Sequence, residues 1–179
     1  MNKVVDWVIG FFTKIYLLII TGNKDHKNVK FNGFFQNSGS VLIIMPESEE
    51  AALEAKSVIE YFLEKELDLT VFVSAGNTIT SALEKSISVI TYSNKEKNLL
   101  RFPGKELIEK LGEKSFDLVL NLNTIPDYYH LSCVKNTNGK WKAGFYCRHA
   151  DKIFNILVKN NSDEPKISYK NLLNCLTMF

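Results

Sequence analysis

The chain has 179 residues, a formal net charge of +2 and 45% hydrophobic side chains, which suits one domain and is too short for a complete two-domain sugar-nucleotide transferase or dehydrogenase. A chain of this length buries about 70% of the surface its unfolded form would expose, so folding requires neither a metal nor a disulfide. The hydrophobic fraction and the 23% of charged residues sit at globular averages, which argues against disorder, collagen and coiled coil, and the mild charge excess does not point to nucleic acid.

Val4 to Ile20 is the most apolar stretch, yet it contains Asp6 and Lys14 and covers only 17 residues. A bilayer span asks for roughly 20 uninterrupted apolar positions. At about 100° per residue, Lys3, Asp6, Gly10, Thr13, Lys14 and Thr21 fall within one arc. Trp7, Val8, Phe11, Phe12, Ile15, Leu18 and Ile19 fill the rest. Residues 1–22 are therefore expected to form an amphipathic helix that ends at Gly22. Three placements stay open: packing on its own domain, docking on a membrane interface or partner protein, or anchoring across a membrane. Trp7, Phe11, Phe12, Ile15 and Leu18 are the candidates for contact with a membrane or partner, because Trp and Phe beside Lys suit an interface. Residues 23–39 read as a linker, with Phe31, Phe34 and Phe35 tucked against the core.

From residue 40 to 179 short strand-like runs alternate with helical ones. Ser40 to Met45 is continuously apolar and β-branched, as in a strand buried on both faces of a parallel sheet. Pro46 stops it, and Ser48 is placed to cap a helix running to about Glu66, with Ala52, Ala55, Ile59, Phe62 and Leu63 on one face. Leu69 to Val73 is the second strand, Gly76-Asn77 its turn, and Thr80 to Lys85 a short helix. Ile87 to Tyr92 is the third strand, and Lys105 to Leu111 a helix after the loop Phe102-Pro103-Gly104. Phe116 to Leu122 is the fourth strand and Pro126 to Val134 a short helix. Asn138-Gly139 reads as a turn before a fifth strand, Trp141 to Tyr146. Phe154 to Val158 reads as a sixth strand, although the connection from Tyr146 is too short for an ordinary helical crossover. Ser168 is placed to cap a closing helix that carries Leu172, Leu173, Leu176 and Met178. This rhythm predicts a three-layer α/β sandwich, Rossmann-like or flavodoxin-like, with a mainly parallel sheet of five or six strands.

Ligands in such folds bind beyond the carboxyl ends of the strands, near the point where strand order reverses. Neither GxGxxG nor GxxxxGK occurs, so no dinucleotide or P-loop cradle is expected, and no cofactor is implied. Glu47, Glu49 and Glu50 crowd the start of the first body helix, where they favour the helix dipole and repel an anion. Asn121, Asn123 and Asp127 follow the fourth strand, where they face a ligand or build turns. His130 and Cys133 share a helix face, but two ligands without a second pair do not make a metal site. Arg148, His149 and Asp151 form either an anion contact or a solvated loop. Cys133, Cys147 and Cys175 are odd in number and form no CxxC, which fits reduced thiols in a cytoplasmic protein.

Phe116-Asp117-Leu118-Val119-Leu120-Asn121-Leu122-Asn123, a short helix, and then Lys142-Ala143-Gly144-Phe145 resemble the later part of the N-terminal domain of heptosyltransferase-type glycosyltransferases (family 9, GT-B fold). That family commonly reads as a strand ending Asp-Leu, a helix of small residues, and Arg-x-Gly-Phe. The resemblance runs roughly from Val41 to Tyr146. In length and layout the chain is also similar to a small group of uncharacterised single-domain bacterial proteins. The transferases carry a Gly-Asp pair after the first strand, whose Asp acts as base, whereas this chain has Pro46-Glu47-Ser48-Glu49-Glu50. What the resemblance implies is that Glu49 or Glu50 would stand in as base and that Ser48, Asn121 and Asn123 would contact a ligand. It also places the family's sugar-nucleotide site chiefly in a second domain, so a nucleotide sugar is not expected to bind this chain alone. The leading expectation is a non-catalytic interaction module, cytoplasmic or peripheral at the inner membrane. The alternatives are an enzyme half completed by a partner chain, and a small-ligand-binding domain.

Overall fold

The computed structural model describes residues 38–79, 87–98, 102–148 and 150–178. The expected N-terminal helix with Trp7, Phe11, Phe12, Ile15 and Leu18, nearly all of the linker, the helix Thr80 to Lys85 and His149 lie outside the described residues. In chain order the elements are β1 (Ser40–Ile44), α1 (Glu49–Leu63), β2 (Asp68–Ser74), β3 (Ser88–Tyr92), α2 (Lys105–Gly112), β4 (Ser115–Asn121), α3 (Tyr128–Asn136), β5 (Asn138–Phe145), β6 (Ile156–Val158) and α4 (Pro165–Thr177).

The six strands form one sheet in the order β3-β2-β1-β4-β5-β6, and every neighbouring pair is parallel. This is the Rossmann-like order rather than the flavodoxin-like one, and its direction reverses between β1 and β4. Alternation along each strand sorts side chains into two apolar layers. Val41, Ile43, Val71, Val73, Leu118 and Leu120 face α1 and α4, which lie side by side. Leu42, Ile44, Phe72 and Val119 face α2 and α3 on the opposite side. β1 is central and its apolar residues are wholly buried, which is why its sequence is unbroken by polar residues. Each large side chain so buried contributes about 1.5–3 kcal/mol relative to exposure.

Ser48 caps α1, its hydroxyl accepting from the Ala51 amide at 3.2 Å. The helix ends at Leu63 rather than Glu66, and Glu66 takes a left-handed conformation (φ 56°) that turns the chain into β2. Two sequence expectations are corrected here. Asn138-Gly139 is not a turn but the opening of β5, where Gly139 pairs with Phe116. Its glycine answers a close approach, since a Cβ there would lie 2.5 Å from Val119 Cγ2. Ser168 is not the cap of α4, which starts three residues earlier with Pro165 in its first turn. Ser168 is instead buried within that first turn, its hydroxyl contacting Asn160 Oδ1 (2.8 Å) and the Glu164 carbonyl (3.0 Å). The short connection between β5 and β6 is spanned by a single 3₁₀ turn, Ala150–Lys152, and β6 pairs parallel to β5 over three residues. Among the described residues no helix is long and apolar enough to cross a membrane.

Candidate functional site

The reversal between β1 and β4 brings two loops together at the carboxyl edge of the sheet. One runs from Met45 to Ser48, the other from Leu122 to Asp127. The ladder continues past both strands: the Leu122 amide donates to the Ile44 carbonyl at 3.0 Å, and the Met45 amide to the Phe72 carbonyl at 2.9 Å. The Asn123 side-chain amide then reaches across the reversal point to the Met45 carbonyl (3.4 Å) and to Asn121 Oδ1 (2.7 Å). Asn121 Oδ1 also accepts from the Asn123 backbone amide at 3.2 Å, and Asn121 is buried. From α4, the buried Tyr169 hydroxyl donates to the Leu122 carbonyl at 3.0 Å. The structure thus gathers Ser48, Asn121 and Asn123 at one edge, with each side chain bonded to the protein itself. Glu49 and Glu50 stand exposed in the first turn of α1, where each contributes about 0.3–1 kcal/mol against the helix dipole.

A second cluster lies beside them. Asp127 caps α3 by accepting from the Tyr129 and His130 amides at 3.4 and 3.2 Å, and its carboxylate also meets the His130 ring at Nδ1. His130 is completely buried, and its Nε2 lies 2.9 Å from the Tyr92 hydroxyl at the end of β3. Tyr92 stacks on Phe72, with ring centroids 4.6 Å apart and planes 15° apart. Its hydroxyl lies 3.4 Å from Glu47 Oε1, which also accepts from Lys97 at 2.7 Å. The Lys97 ammonium sits 4.7 Å from the Tyr129 ring centroid. The Tyr129 hydroxyl is buried and has no hydrogen-bond partner among the described residues.

The electrostatics follow from these contacts. Burial opposes ionisation of Asp127, but the hydrogen bond and charge of His130 and two backbone amides outweigh it, holding the carboxyl below its ordinary value. Burial, reinforced by Glu47, Cys133 and Asp127, pushes the Tyr92 hydroxyl far above its ordinary value, so it keeps its proton. Burial likewise raises the Cys133 thiol, which is wholly buried against the apolar layer beneath α3. The imidazole nitrogens of His130 are engaged by Asp127 and Tyr92, and no group of three or more metal-ligating side chains exists among the described residues. Cys133, Cys147 and Cys175 are all unpaired. Arg148 and Asp151 are exposed.

Sequence reasoning reached Asp127 and His130 separately but missed their pairing, which the cap-like spacing of three residues signals. It missed Tyr92 and Lys97 altogether, and read Glu47 only as one charge in an acidic run. Comparison with protein-family models, curated proteins and solved structures gives no match.

Proposed function

We propose that this chain is a non-catalytic interaction module, a single-domain relative of one glycosyltransferase half, that contacts a membrane or protein surface through its apolar N-terminal segment. One observation carries the reading. Ser48, Asn121 and Asn123, the side chains placed where a Rossmann-like domain receives its ligand, are bonded to the protein's own backbone and to each other. Groups engaged in this way hold loops in place, and a ligand would have to displace them at the cost of leaving partners unpaired.

The transferase kinship is supported by layout. Phe116 to Asn123 forms a strand and its exit, a short helix follows, and Lys142-Ala143-Gly144-Phe145 lies in the neighbouring parallel strand. The contact surface is supported by sequence, since Trp7, Phe11 and Phe12 stand with Lys3 and Lys14 within residues 1–22. Residues 1–40 carry five lysines against two aspartates, a net of 5 − 2 = +3 that favours an anionic surface.

Flotation of the full chain with anionic vesicles tests the contact, comparing the wild type with Phe11→Glu/Phe12→Glu. The expected result is flotation of the wild type alone. Failure of both to float assigns the contact to a protein surface, and equal flotation of both overturns a role for the segment.

A further inference from the structure

Tyr92 has one hydroxyl proton and two acceptors within reach, His130 Nε2 at 2.9 Å and Glu47 Oε1 at 3.4 Å. Which acceptor receives it depends on whether Nε2 carries a proton of its own. Asp127 fixes the other end of the ring. Its carboxylate already accepts from two backbone amides and is an acceptor only, so His130 Nδ1 carries a hydrogen and donates to it. In the neutral imidazole Nε2 is then a bare lone pair, and Tyr92 donates to it. In the imidazolium Nε2–H is a donor, the Tyr92 oxygen must accept from it, and the tyrosine proton has to turn to Glu47.

We infer that His130 is a proton-operated latch beside the reversal point of the sheet, whose protonation redirects the one hydrogen bond that Tyr92 donates from His130 to Glu47, while the Tyr92–His130 contact persists with its direction reversed. The inference does not depend on the proposed interaction role. The latch joins two loops that each start a helix: Glu47 immediately precedes the Ser48 cap of α1, and Asp127 is itself the cap of α3. In the structure the Glu47 carboxylate is held by Lys97 at 2.7 Å. With His130 charged it gains the Tyr92 hydroxyl as a second donor, and the 3.4 Å contact shortens. By linkage, whatever draws Glu47 toward Tyr92 also favours the charged imidazole.

The groups packed around the ring set the balance. Asp127 lies on its own cap, and Tyr129 and Cys133 lie on its own helix. From β3 comes Tyr92, and beyond it stand Glu47 and Lys97 with the neighbouring Glu96. Phe72 adds only an apolar edge, 6.5 Å from the imidazole.

Carbon-detected NMR of the full chain through a pH titration tests the latch, reading the His130 ring carbons, Tyr92 Cζ and Glu47 Cδ. In the wild type, Tyr92 Cζ and Glu47 Cδ are expected to step at the His130 midpoint. In Tyr92→Phe, which keeps the ring stacked on Phe72, the Glu47 step should disappear while His130 still titrates. The inference is overturned if Glu47 steps equally in Tyr92→Phe. It is also overturned if Tyr92 Cζ shows no step at the wild-type His130 midpoint, or if His130 stays neutral until the protein unfolds, and these two outcomes need no variant.

Discussion

Asp117 does more for the fold than its position in a hydrophobic strand suggests. Its Oδ2 accepts from the Gly39 amide (2.9 Å), the Ser40 amide (3.1 Å) and the Ser40 hydroxyl (3.2 Å), pinning the start of β1 to β4 across 77 and 78 residues of sequence. The Gly39 bond is the main cause that holds its carboxyl below the ordinary value, aided by Ser40 and opposed by modest desolvation. An unfolded Asp117 titrates near about 3.9, so between that value and the lower folded one the unfolded chain binds more protons. The stabilisation is therefore complete above about pH 4 and is lost as pH falls through the folded value. Asp117→Asn should destabilise the protein at neutral pH and flatten the fall in stability on acidification, as read from urea midpoints at several pH values. An unchanged acid limb would remove Asp117 from this role. The slope that remains belongs in part to Asp127, whose carboxyl is also lowered. At this scale the sequence was legible where partners are near in the chain, as with Ser48 and Ala51. It was silent on Tyr92 and His130, which lie 38 residues apart, and on Asn123 and Met45, which lie 78 apart.

At the scale of elements, the junction of α3 and β5 shows how the Lys142-Ala143-Gly144-Phe145 segment works. Only Thr137 separates the helix from the strand. The last carbonyls of a helix have no partner within it. Here the buried Lys142 ammonium donates to three carbonyls, those of Val134 (2.7 Å), Lys135 (3.0 Å) and Thr137 (2.9 Å). A cation at a helix carboxyl end also complements the dipole. Two residues on, Gly144 leaves room for Phe154, whose ring atoms would lie 2.8 and 2.9 Å from a Cβ placed there. The motif that suggests kinship therefore has a structural explanation in this chain. Lys142→Met would keep most of the stem but remove a shared donor from the three carbonyls, of which that of Val134 keeps the Thr137 hydroxyl at 2.6 Å, at a cost of about 2–4 kcal/mol. Denaturant unfolding measures this, and a change below about 0.5 kcal/mol, the usual effect of an inconsequential surface substitution, would refute it. Among the described residues the strands and helices were legible because apolar runs and caps are local. Asn138-Gly139 misled because the same dipeptide serves a tight turn and a close strand approach, and only the position of Val119 distinguishes them. Ser168 misled because a serine in the first turn of a helix has the same local signature as a cap.

For the whole molecule, the parallel sheet and its reversal point follow from an alternating sequence, and they locate the place where a Rossmann-like domain commonly takes a ligand. What the sequence could not convey is how the polar groups at that place are used. Asn121, Asn123 and Tyr169 tie the ends of β1, β4 and α4 together, while Asp127, His130, Tyr92 and Glu47 form a chain of contacts beside them. These long-range contacts depend on topology, which sets which loops meet. The fold rule placed a ligand at this edge, and under the proposed function its side chains, bonded to one another and to the backbone, serve the fold instead. Calorimetric titration of the full chain with ADP- and UDP-sugars puts that claim to its most direct test. No saturable heat is expected, and a saturable isotherm at micromolar affinity would overturn it.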